Sequence, residues 1–175
     1  MTLSLVMPTY NGGEFLKEAV RSVLAQTHTD WKLLISDDGS KDGTREYLAS
    51  LSDPRIQVLF QEKNLGIFGN LNFLFQQVRT DITQIFCQDD WLVDEGALAR
   101  LVATWQQLPA DVAFLRANHG AEEGGSRLAR LERDPLEDFL QWSLIQATMF
   151  VGHAPYTYGE LQYVSQHTHW WPRQM

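Results

Sequence analysis

The sequence predicts an α/β fold in which a mostly parallel sheet carries helices on both faces. Short apolar runs recur along the first two thirds of the chain, and runs of this length between turn residues favour buried strands. Segments with helical apolar spacing lie between these runs. Because strand and helix alternate strictly, successive strands are expected to be joined by helical crossovers and to run in parallel.

The individual elements follow from the same two patterns. Strands are predicted over residues 3–7, 32–36, 56–60, 83–87 and 112–115. Helices are predicted over residues 15–24, 45–51, 67–78 and 98–108, where apolar residues recur three and four positions apart. The second of these helices has the weakest pattern.

After Leu115 the pattern changes, and we predict two parts of the chain, 1–118 and 119–175. A polar segment with several glycines comes next, and Pro135 then suits the first turn of a further amphipathic helix. Beyond Gly152 no period is evident. The first part is therefore predicted as the α/β unit, and the second as a partial segment followed by an irregular tail.

The charge of the chain limits its function. A formal net charge of -8 over 175 residues excludes a general nucleic-acid binder, which needs a basic face for the phosphates. An acidic protein that binds a phosphate-bearing ligand must therefore draw positive charge from backbone N–H groups or from a divalent cation.

The cellular compartment is inferred from cysteine content and from apolar runs. Cys87 is the one cysteine, so no intramolecular disulfide can form, and its place in an apolar run predicts an inert core thiol. The first residues lack the basic stretch of a signal peptide, and no apolar run reaches the roughly 18 residues of a membrane span. A cytoplasmic protein is expected, with a peripheral membrane contact left open.

The loops after the predicted strands are the candidate site, because ligands of an open parallel sheet bind at the carboxyl ends of its strands. The first loop reads Pro8-Thr9-Tyr10-Asn11, followed by two glycines. Asn11 can cap the next helix, the glycines allow a ligand to approach the backbone, and the ring of Tyr10 can stack on a base. An ordinary strand-to-helix turn explains the same residues equally well.

Carboxylates follow the second and fourth strands. Asp37 and Asp38 end the second strand, and Asp89 and Asp90 come directly after the fourth. An ionised carboxylate accepts hydrogen bonds from a base or ribose, and hard oxygen ligands suit Mg²⁺ or Mn²⁺ bound to substrate phosphates. A helix N-terminus also favours acidic residues, which accounts for one carboxylate of the run after the second strand, and adjacent aspartates such as Asp89 and Asp90 are common in turns. We expect Asp38 and the Asp89–Asp90 pair to lie at neighbouring strand ends and to share one ligand.

Taken together, these motifs resemble the opening of the family 2 glycosyltransferases of the GT-A fold. The shared segments are residues 8–11, 22–27, 37–40, 42–44, 64–66 and Asn70. Gln88-Asp89-Asp90 is similar to the DxD-type metal motif of these enzymes. The match runs in register from Leu3 to about Leu108, and the joint pattern is more specific than any of its pieces.

The resemblance implies a function and a set of site residues. Members of the family transfer a sugar from a nucleotide diphosphate sugar to an acceptor hydroxyl, usually with inversion. The implied nucleotide-sugar-binding residues are Pro8, Thr9, Tyr10, Asn11, Asp38, Asn70 and Asp89. Pro8 and Tyr10 would line the base pocket, Asp38 would hold the base, and Asp89 would contact the ribose or the diphosphate. Asp90 would coordinate the Mg²⁺ or Mn²⁺ that bridges the two phosphates.

The resemblance also implies the partners. Donors linked to UDP or dTDP are the default, and the acceptor would be a glycan or a lipid-linked sugar, as in polysaccharide biosynthesis. In the tail, Trp170 and Trp171 are predicted as a contact surface for a membrane or a second chain. His167 and His169 lack the further ligands of a zinc site.

The general base that inversion requires is not identified in the sequence. In the family it is a carboxylate of the second, acceptor-binding half of the fold. Residues 136–150 resemble the helix and strand that lead into this half, but the expected continuation is missing, so an incomplete acceptor half is predicted. Glu137 and Asp138 lie in the first turn of a predicted helix, where acidic residues are ordinary, and are not assigned as the base.

Three functions stay open on the sequence. The first is an active, metal-dependent glycosyltransferase. The second is a truncated or degenerate nucleotide-sugar-binding module with little or no transfer activity. The third is a phosphoacceptor receiver domain, which also places acidic residues at strand ends with Mg²⁺. The receiver interpretation is disfavoured, because it needs an acidic pair after the first strand, where this chain has Pro8-Thr9-Tyr10-Asn11.

Overall fold

The computed structural model of the protein describes residues 1–80, 82–107, 114–116 and 148–151. The elements in chain order are β1 (Leu3–Thr9), α1 (Gly13–Leu24), β2 (Trp31–Asp37), α2 (Thr44–Ala49), β3 (Ile56–Phe60), α3 (Gly66–Gln77), β4 (Ile82–Ile85), α4 (Ala97–Gln107), β5 (Phe114–Arg116) and β6 (Thr148–Val151). Each strand and helix predicted between residues 3 and 116 is present, with ends that differ from the prediction by at most two residues. The helix predicted after Pro135 lies outside the described residues.

The strands form one six-stranded sheet in the order β3-β2-β1-β4-β6-β5. β1 pairs in parallel with β2 and with β4, and β2 pairs in parallel with β3. The prediction of a mostly parallel sheet is therefore confirmed, and the carboxyl ends of β1 to β4 lie at one edge. β6 is antiparallel to both β4 and β5, a pairing that the regular strand–helix alternation does not predict.

β4 ends at Ile85, whereas the sequence predicts a strand that continues to residue 87. The N–H of Phe86 still donates to the carbonyl of Val6 (3.0 Å). The chain then turns, because the N–H of Asp90 donates to the carbonyl of Cys87 (3.1 Å) and the Asp90 carboxylate accepts from the N–H of Cys87 (2.9 Å). Cys87 is accordingly a half-buried loop residue, and its assignment to the strand interior is wrong.

Apolar residues form a separate cluster on each face of the sheet. On one face, Leu5 of β1 belongs to a cluster with Val20 of α1 and Leu98 of α4. On the other face, Val6 of β1 belongs to a cluster with Leu74 of α3. All seven residues of β1 are buried, as expected for a central parallel strand with helices on both sides.

The two tryptophans predicted as core residues lie in the first cluster. Trp31, at the start of β2, is 1% exposed, and the half-buried Trp105 of α4 packs against the same cluster. The guanidinium of Arg55 lies 3.9 Å from the centre of the Trp31 ring, a distance typical of a cation–π contact. Both predictions are confirmed.

The helices of the described residues are short. α1 and α3 have 12 residues each, and no helix in the described ranges is long and apolar enough to cross a membrane.

One described element comes from the second predicted part of the chain. β6 pairs in register with β4, from Ile82 opposite Val151 to Gln84 opposite Met149. The predicted division after residue 118 stays a prediction. The predictions made for Glu137, Asp138 and the histidines and tryptophans of the tail lie outside the described residues.

Val6→Ala should lower the free energy of unfolding by about 1.5–3 kcal/mol, because the Val6 side chain is fully buried between the sheet and α3. Val93→Ala removes the same atoms from a side chain that is 78% exposed, and should change it by less than about 0.5 kcal/mol. Urea unfolding measures both, and equal losses would contradict the packing described here.

Candidate functional site

The side chain of Gln88 joins the carboxyl ends of β1 and β4. Its carbonyl oxygen accepts hydrogen bonds from the Thr9 hydroxyl and from the N–H of Tyr10 (2.9 Å), and its nitrogen donates to the carbonyl of Tyr10 (3.3 Å). A peptide N–H only donates and a peptide carbonyl only accepts, so these bonds fix the orientation of the amide. Gln88 thus pairs with Tyr10 much as a neighbouring strand would.

The loop after β2 holds the first loop from the other side. The N–H of Asn11 donates to the hydroxyl of Ser40 (2.8 Å), and the N–H of Gly12 donates to the hydroxyl of Thr44 (2.9 Å). In the opposite direction, the N–H of Lys41 donates to the side-chain carbonyl of Asn11 (2.9 Å). The first loop is therefore bonded to both of its neighbours.

Asn11 does not cap α1, contrary to the prediction. The cap position is taken by Gly12 without any side-chain hydrogen bond, and Asn11 has a φ of 50°, which asparagine tolerates better than most residues. The Asn11 side chain instead bonds to Lys41. The expected cap is wrong because the donor that satisfies Asn11 belongs to a different loop.

The two glycines of the first loop are required by the protein itself. A Cβ on Gly12 would lie 2.8 Å from the Leu16 Cβ, 2.9 Å from the Thr9 hydroxyl oxygen and 3.0 Å from the Gln88 carbonyl oxygen. Gly13 has a φ of 51°, a conformation that favours glycine. The close approach that the sequence suggested for a ligand is made at Gly12 by neighbouring side chains.

Asp38 connects three loops at this edge. Its N–H donates to the carbonyl of Thr9 (2.8 Å), and its own carbonyl accepts from the side-chain amide of Asn64 (3.1 Å). One carboxylate oxygen accepts from the N–H of Leu65 (2.7 Å). The residue is 3% exposed. Asp38 therefore stands at the edge as expected, and its contact with a base stays a prediction.

Asp37, the last residue of β2, holds the start of the second loop. It is fully buried and accepts from the N–H of Ser40 (3.3 Å to each oxygen). Its carboxylate lies 3.5 Å from the guanidinium of Arg45, which stacks over the ring of Phe60 at 4.8 Å from the ring centre. One acidic residue of the run is thus explained by the fold.

Asn70 lies inside the fold, beneath the end of β2. It is 1% exposed, and its side-chain amide donates to the carbonyl of Ser36 (2.8 Å). The side chain of Gln61 donates to the hydroxyl of the same serine (2.8 Å). Asn70 and Gln61 therefore brace β2 directly before Asp37 and Asp38. The predicted proximity of Asn70 to a nucleotide stays a prediction.

The Asp89–Asp90 pair lies in the turn that Gln88 attaches to the first loop. Asp89 is exposed and Asp90 is half-buried, and one Asp90 oxygen accepts from the N–H of Cys87. Within the described ranges no three histidine, cysteine or acidic side chains form a group that could hold a metal ion. An ion at this turn would therefore need oxygen ligands from its substrate as well.

The expectation that Asp38 and the acidic pair follow neighbouring strands is wrong. β1 lies between β2 and β4, so the first loop separates the two groups and bonds to Asp38 on one side and to Gln88, the residue before the acidic pair, on the other. Thr9 accepts from the Asp38 N–H, and Tyr10 pairs with Gln88. Chain order does not reveal this arrangement, because the chain crosses back past β1 before it forms β4.

Sequence reasoning missed the polar side chains that hold these loops together. Ser40, Thr44 and Gln88 enter the sequence analysis only as members of motifs, and Arg45 only as the start of a predicted helix. Hydroxyl residues beside glycines are a weak signal for such contacts. Their partners are distant in the chain, so the local sequence does not identify them.

The acidity of Asp42 depends on the same hydrogen bonds. A hydrogen bond from the Thr44 hydroxyl is the main cause that lowers the pKa of Asp42 below its ordinary value, and bonds from backbone N–H groups add to it. The Thr44 hydroxyl also accepts from the N–H of Gly12. The first loop is thereby linked through Thr44 to a carboxylate of the second loop.

The family model described as Glycosyl transferase family 2 matches residues 4–166. The chain belongs to this family. The receiver-domain interpretation is thereby excluded.

Three similar proteins illustrate the match. The UDP-Glc:alpha-D-GlcNAc-diphosphoundecaprenol beta-1,3-glucosyltransferase WfgD of Escherichia coli is 33% identical over 94 residues, which are 53% of this chain and 37% of that protein. The structure of S. aureus TarS 1-349 in complex with UDP-GlcNAc has a TM-score of 0.70 and 17% identity, and covers 98% of this chain and 49% of that one. The mannosyltransferase PcManGT from Pyrobaculum calidifontis, in complex with GDP-Man and Mn²⁺, has a TM-score of 0.57 and 20% identity over 66% of this chain and 35% of that one.

The likeness to the two solved structures shows the GT-A fold of this family 2 chain. The chain spans less than half the length of the curated relatives that it matches first.

Thr44→Val should lower the free energy of unfolding by about 1–3 kcal/mol, because the buried N–H of Gly12 loses its acceptor. Thr104→Val removes an exposed hydroxyl that donates to the carbonyl of Arg100 within α4, and should change it by less than about 0.5 kcal/mol. Urea unfolding measures both variants. A loss no larger at Thr44 than at Thr104 would show that this bond does not stabilise the loop.

The same variant has an expected pH dependence. Because the pKa of Asp42 is lowered in the fold, its carboxylate adds stability above the unfolded-state pKa, and this stability is lost as pH falls through the folded-state value. Thr44→Val removes the main cause, so the stability gap from wild type should be larger at about pH 7 than at about pH 3. A gap that does not change with pH would contradict the bond between Thr44 and Asp42.

Proposed function

We propose that the chain transfers a sugar from a nucleotide diphosphate sugar to an acceptor hydroxyl, in a metal-dependent reaction with inversion. The observation that carries the proposal is the common edge of β1, β2 and β4 in a family 2 chain. Hydrogen bonds join the loops that carry Tyr10 and Asp38 to Gln88, which directly precedes Asp89 and Asp90. This edge is where open α/β sheets bind nucleotides.

Tyr10 and Asp38 would hold the nucleoside. The Tyr10 side chain is 47% exposed and offers a ring face for a base, while its backbone is held by Gln88. Asp38 has one carboxylate oxygen bonded to Leu65, and a carboxylate has further acceptor capacity for a base N–H or a ribose hydroxyl. Pro8 and Thr9 are buried, so they would shape this pocket from beneath.

The donor and acceptor classes follow from the relatives. TarS is solved with UDP-GlcNAc and the Pyrobaculum mannosyltransferase with GDP-Man, so uridine and guanosine diphosphate sugars are proposed beside dTDP-linked ones. The E. coli relative is named for a diphosphoundecaprenol-linked acceptor, which supports a glycan or lipid-linked acceptor here.

The diphosphate would need a cation at this edge. The chain has a formal net charge of -8, and the N–H groups of Tyr10, Asn11 and Gly12 already donate to side chains. The first loop therefore cannot offer these groups to a phosphate without breaking its own bonds. Positive charge must come from elsewhere, and a divalent ion is the simplest source.

Asp89 and Asp90 fit such an ion. Their carboxylates are hard oxygen ligands at an accessible turn, and Mg²⁺ and Mn²⁺ bind through one or two carboxylates plus substrate phosphates. We assign the ion to Asp90 and the ribose or diphosphate contact to Asp89. A bound ion would neutralise the charge that builds on the departing diphosphate. The mannosyltransferase relative contains Mn²⁺.

Inversion also requires a general base. The acceptor oxygen attacks the anomeric carbon as the bond to the diphosphate breaks, and its proton must pass to a base. Asp37 is unsuited to this role, because it is fully buried and paired with Arg45. We propose that a carboxylate outside the described residues or on a partner chain supplies the base.

A second candidate is a nucleotide-sugar-binding module with little or no transfer activity. The chain spans less than half of the curated relatives, and the described residues hold the donor edge without an assigned base. Both candidates predict donor binding, and they differ in turnover.

One experiment separates the two candidates. The full chain is titrated by calorimetry with UDP-GlcNAc, UDP-Glc, dTDP-Glc and GDP-Man in the presence of Mn²⁺, and release of nucleoside diphosphate is followed with glycan and lipid-linked acceptors. Binding with release supports the transferase, and binding without release supports the module. If no donor binds, both are wrong.

Asp90→Asn should lower the Mn²⁺-dependent affinity for the donor at least about 10–100-fold, because mutation of a residue that only hydrogen-bonds to a metal ligand already lowers metal affinity by about this factor. The asparagine oxygen can still accept from the N–H of Cys87, so the turn is expected to keep its shape. Calorimetry with and without Mn²⁺ measures the effect.

Asp30→Asn is the matched control for charge. Asp30 is an exposed residue before the start of β2, at the opposite edge of the sheet, and bonds to Thr2. Donor binding should be unchanged in this variant. Unchanged donor binding in Asp90→Asn would show that the metal assignment is wrong. Equal losses of donor affinity in Asp90→Asn and Asp30→Asn would show an effect of net charge alone.

A further inference from the structure

We propose that Gln88 is a positioning residue that sets the spacing between the nucleoside end and the metal end of the donor site. The inference rests on the proposed function. It adds a role for a side chain that holds Tyr10 and directly precedes Asp89 and Asp90.

The two ends of the site belong to strands that diverge. β1 and β4 pair from Leu3 opposite Ile82 to Val6 opposite Ile85, and the bond from Phe86 to Val6 follows. The chain after β1 then leads into α1, whereas the chain after β4 turns at residues 87–90. The Gln88 amide spans this gap with three hydrogen bonds to Thr9 and Tyr10.

The contacts at this position suit glutamine. The N–H of Tyr10 needs an acceptor and its carbonyl needs a donor, and an amide offers both, whereas a carboxylate only accepts and an ammonium group only donates. Gly12 leaves room for the amide, since a Cβ there would lie 3.0 Å from the Gln88 oxygen. With the N–H and the carbonyl of Tyr10 held, its Cα–Cβ bond keeps one direction relative to the turn that contains Asp90.

A donor nucleotide would engage both ends at once. The base would contact Tyr10, and the diphosphate would lie at the turn of Asp89 and Asp90. A ligand held at two points gains most when the points already have the right spacing, because no motion must then be frozen on binding. Without the Gln88 bonds, each end should still bind its own part of the donor. The gain in affinity from binding both parts at once should fall.

The test uses Gln88→Met, which keeps the length of the side chain and removes its hydrogen bonds. Calorimetry on the full chain compares the affinities for uridine, for UDP without metal and for UDP with Mn²⁺. If the wild-type protein binds dTDP or GDP more tightly than UDP, that nucleotide and its nucleoside are used instead. The gain in affinity that Mn²⁺ provides should fall about tenfold, within the 5–150-fold range of coupling between sites. The uridine affinity should fall by less.

Two further variants control for packing and fold. Gln107→Met makes the same change at an exposed position of α4. In this variant Mn²⁺ should raise the UDP affinity as much as it does in wild type. Gln88→Asn keeps the amide on a side chain one methylene shorter, which cannot span the gap, so it should lose as much as Gln88→Met. If Gln88→Met does not fold by circular dichroism, Gln88→Asn decides the question.

The outcomes distinguish this inference from the proposed function. Wild-type protein that binds no nucleoside diphosphate with Mn²⁺ would contradict both. If Mn²⁺ raises the UDP affinity of the Gln88 variants as much as that of wild type, the positioning role is contradicted and the proposed function is not. Equal losses for uridine and for UDP, with an unchanged Mn²⁺ gain, would show a merely structural side chain and overturn the inference.

Discussion

The peptide N–H groups that follow β1 impose the main constraint on this edge of the molecule. Tyr10, Asn11 and Gly12 have left the strand, and each donates to a side chain from a neighbouring loop. A peptide group that is buried without a partner costs about 1–3 kcal/mol, so the buried N–H of Gly12 requires the Thr44 hydroxyl. The bonds to Gln88 and Ser40 lie nearer to solvent and hold the path of the loop. The loops after β1, β2 and β4 consequently form one unit.

This constraint separates residues that hold the edge from residues that are open to a ligand. Asp37 and Asn70 are buried and bonded to the protein, and they stabilise the end of β2. Tyr10 and Asp89 are exposed and can meet a ligand without breaking any described bond. Asp38 also holds the edge, since it is nearly buried and bonds through one carboxylate oxygen to the loop before α3. A ligand could use only the acceptor capacity that this bond leaves.

The same hydrogen bonds shape the electrostatics of the edge. Backbone N–H groups at a strand-to-helix loop often bind phosphate, but here those of the first loop are committed to side chains. Acidic residues stand at the ends of β2 and β4. A negatively charged donor is therefore compatible with this edge when a cation accompanies it, which connects the internal bonding of the loops to the proposed metal dependence.

The sequence by itself determined the α/β class, the approximate strands and helices, and the loops with the acidic residues and Tyr10. These features depend on spacing within a few residues, which local periodicity reports directly. The resemblance to family 2 glycosyltransferases likewise rested on short motifs in order, and the family match confirmed it.

Only the tertiary structure decided which residues meet. The bonds from Tyr10 to Gln88 and from Asn11 to Ser40 join positions 78 and 29 residues apart, and no local pattern encodes such partners. For this reason the sequence misassigned Asn11 as a cap, extended β4 to Cys87 and placed Asp38 beside the acidic pair. The place of β1 between β2 and β4, and the antiparallel β6, likewise arise from how distant segments pack and pair their peptide groups.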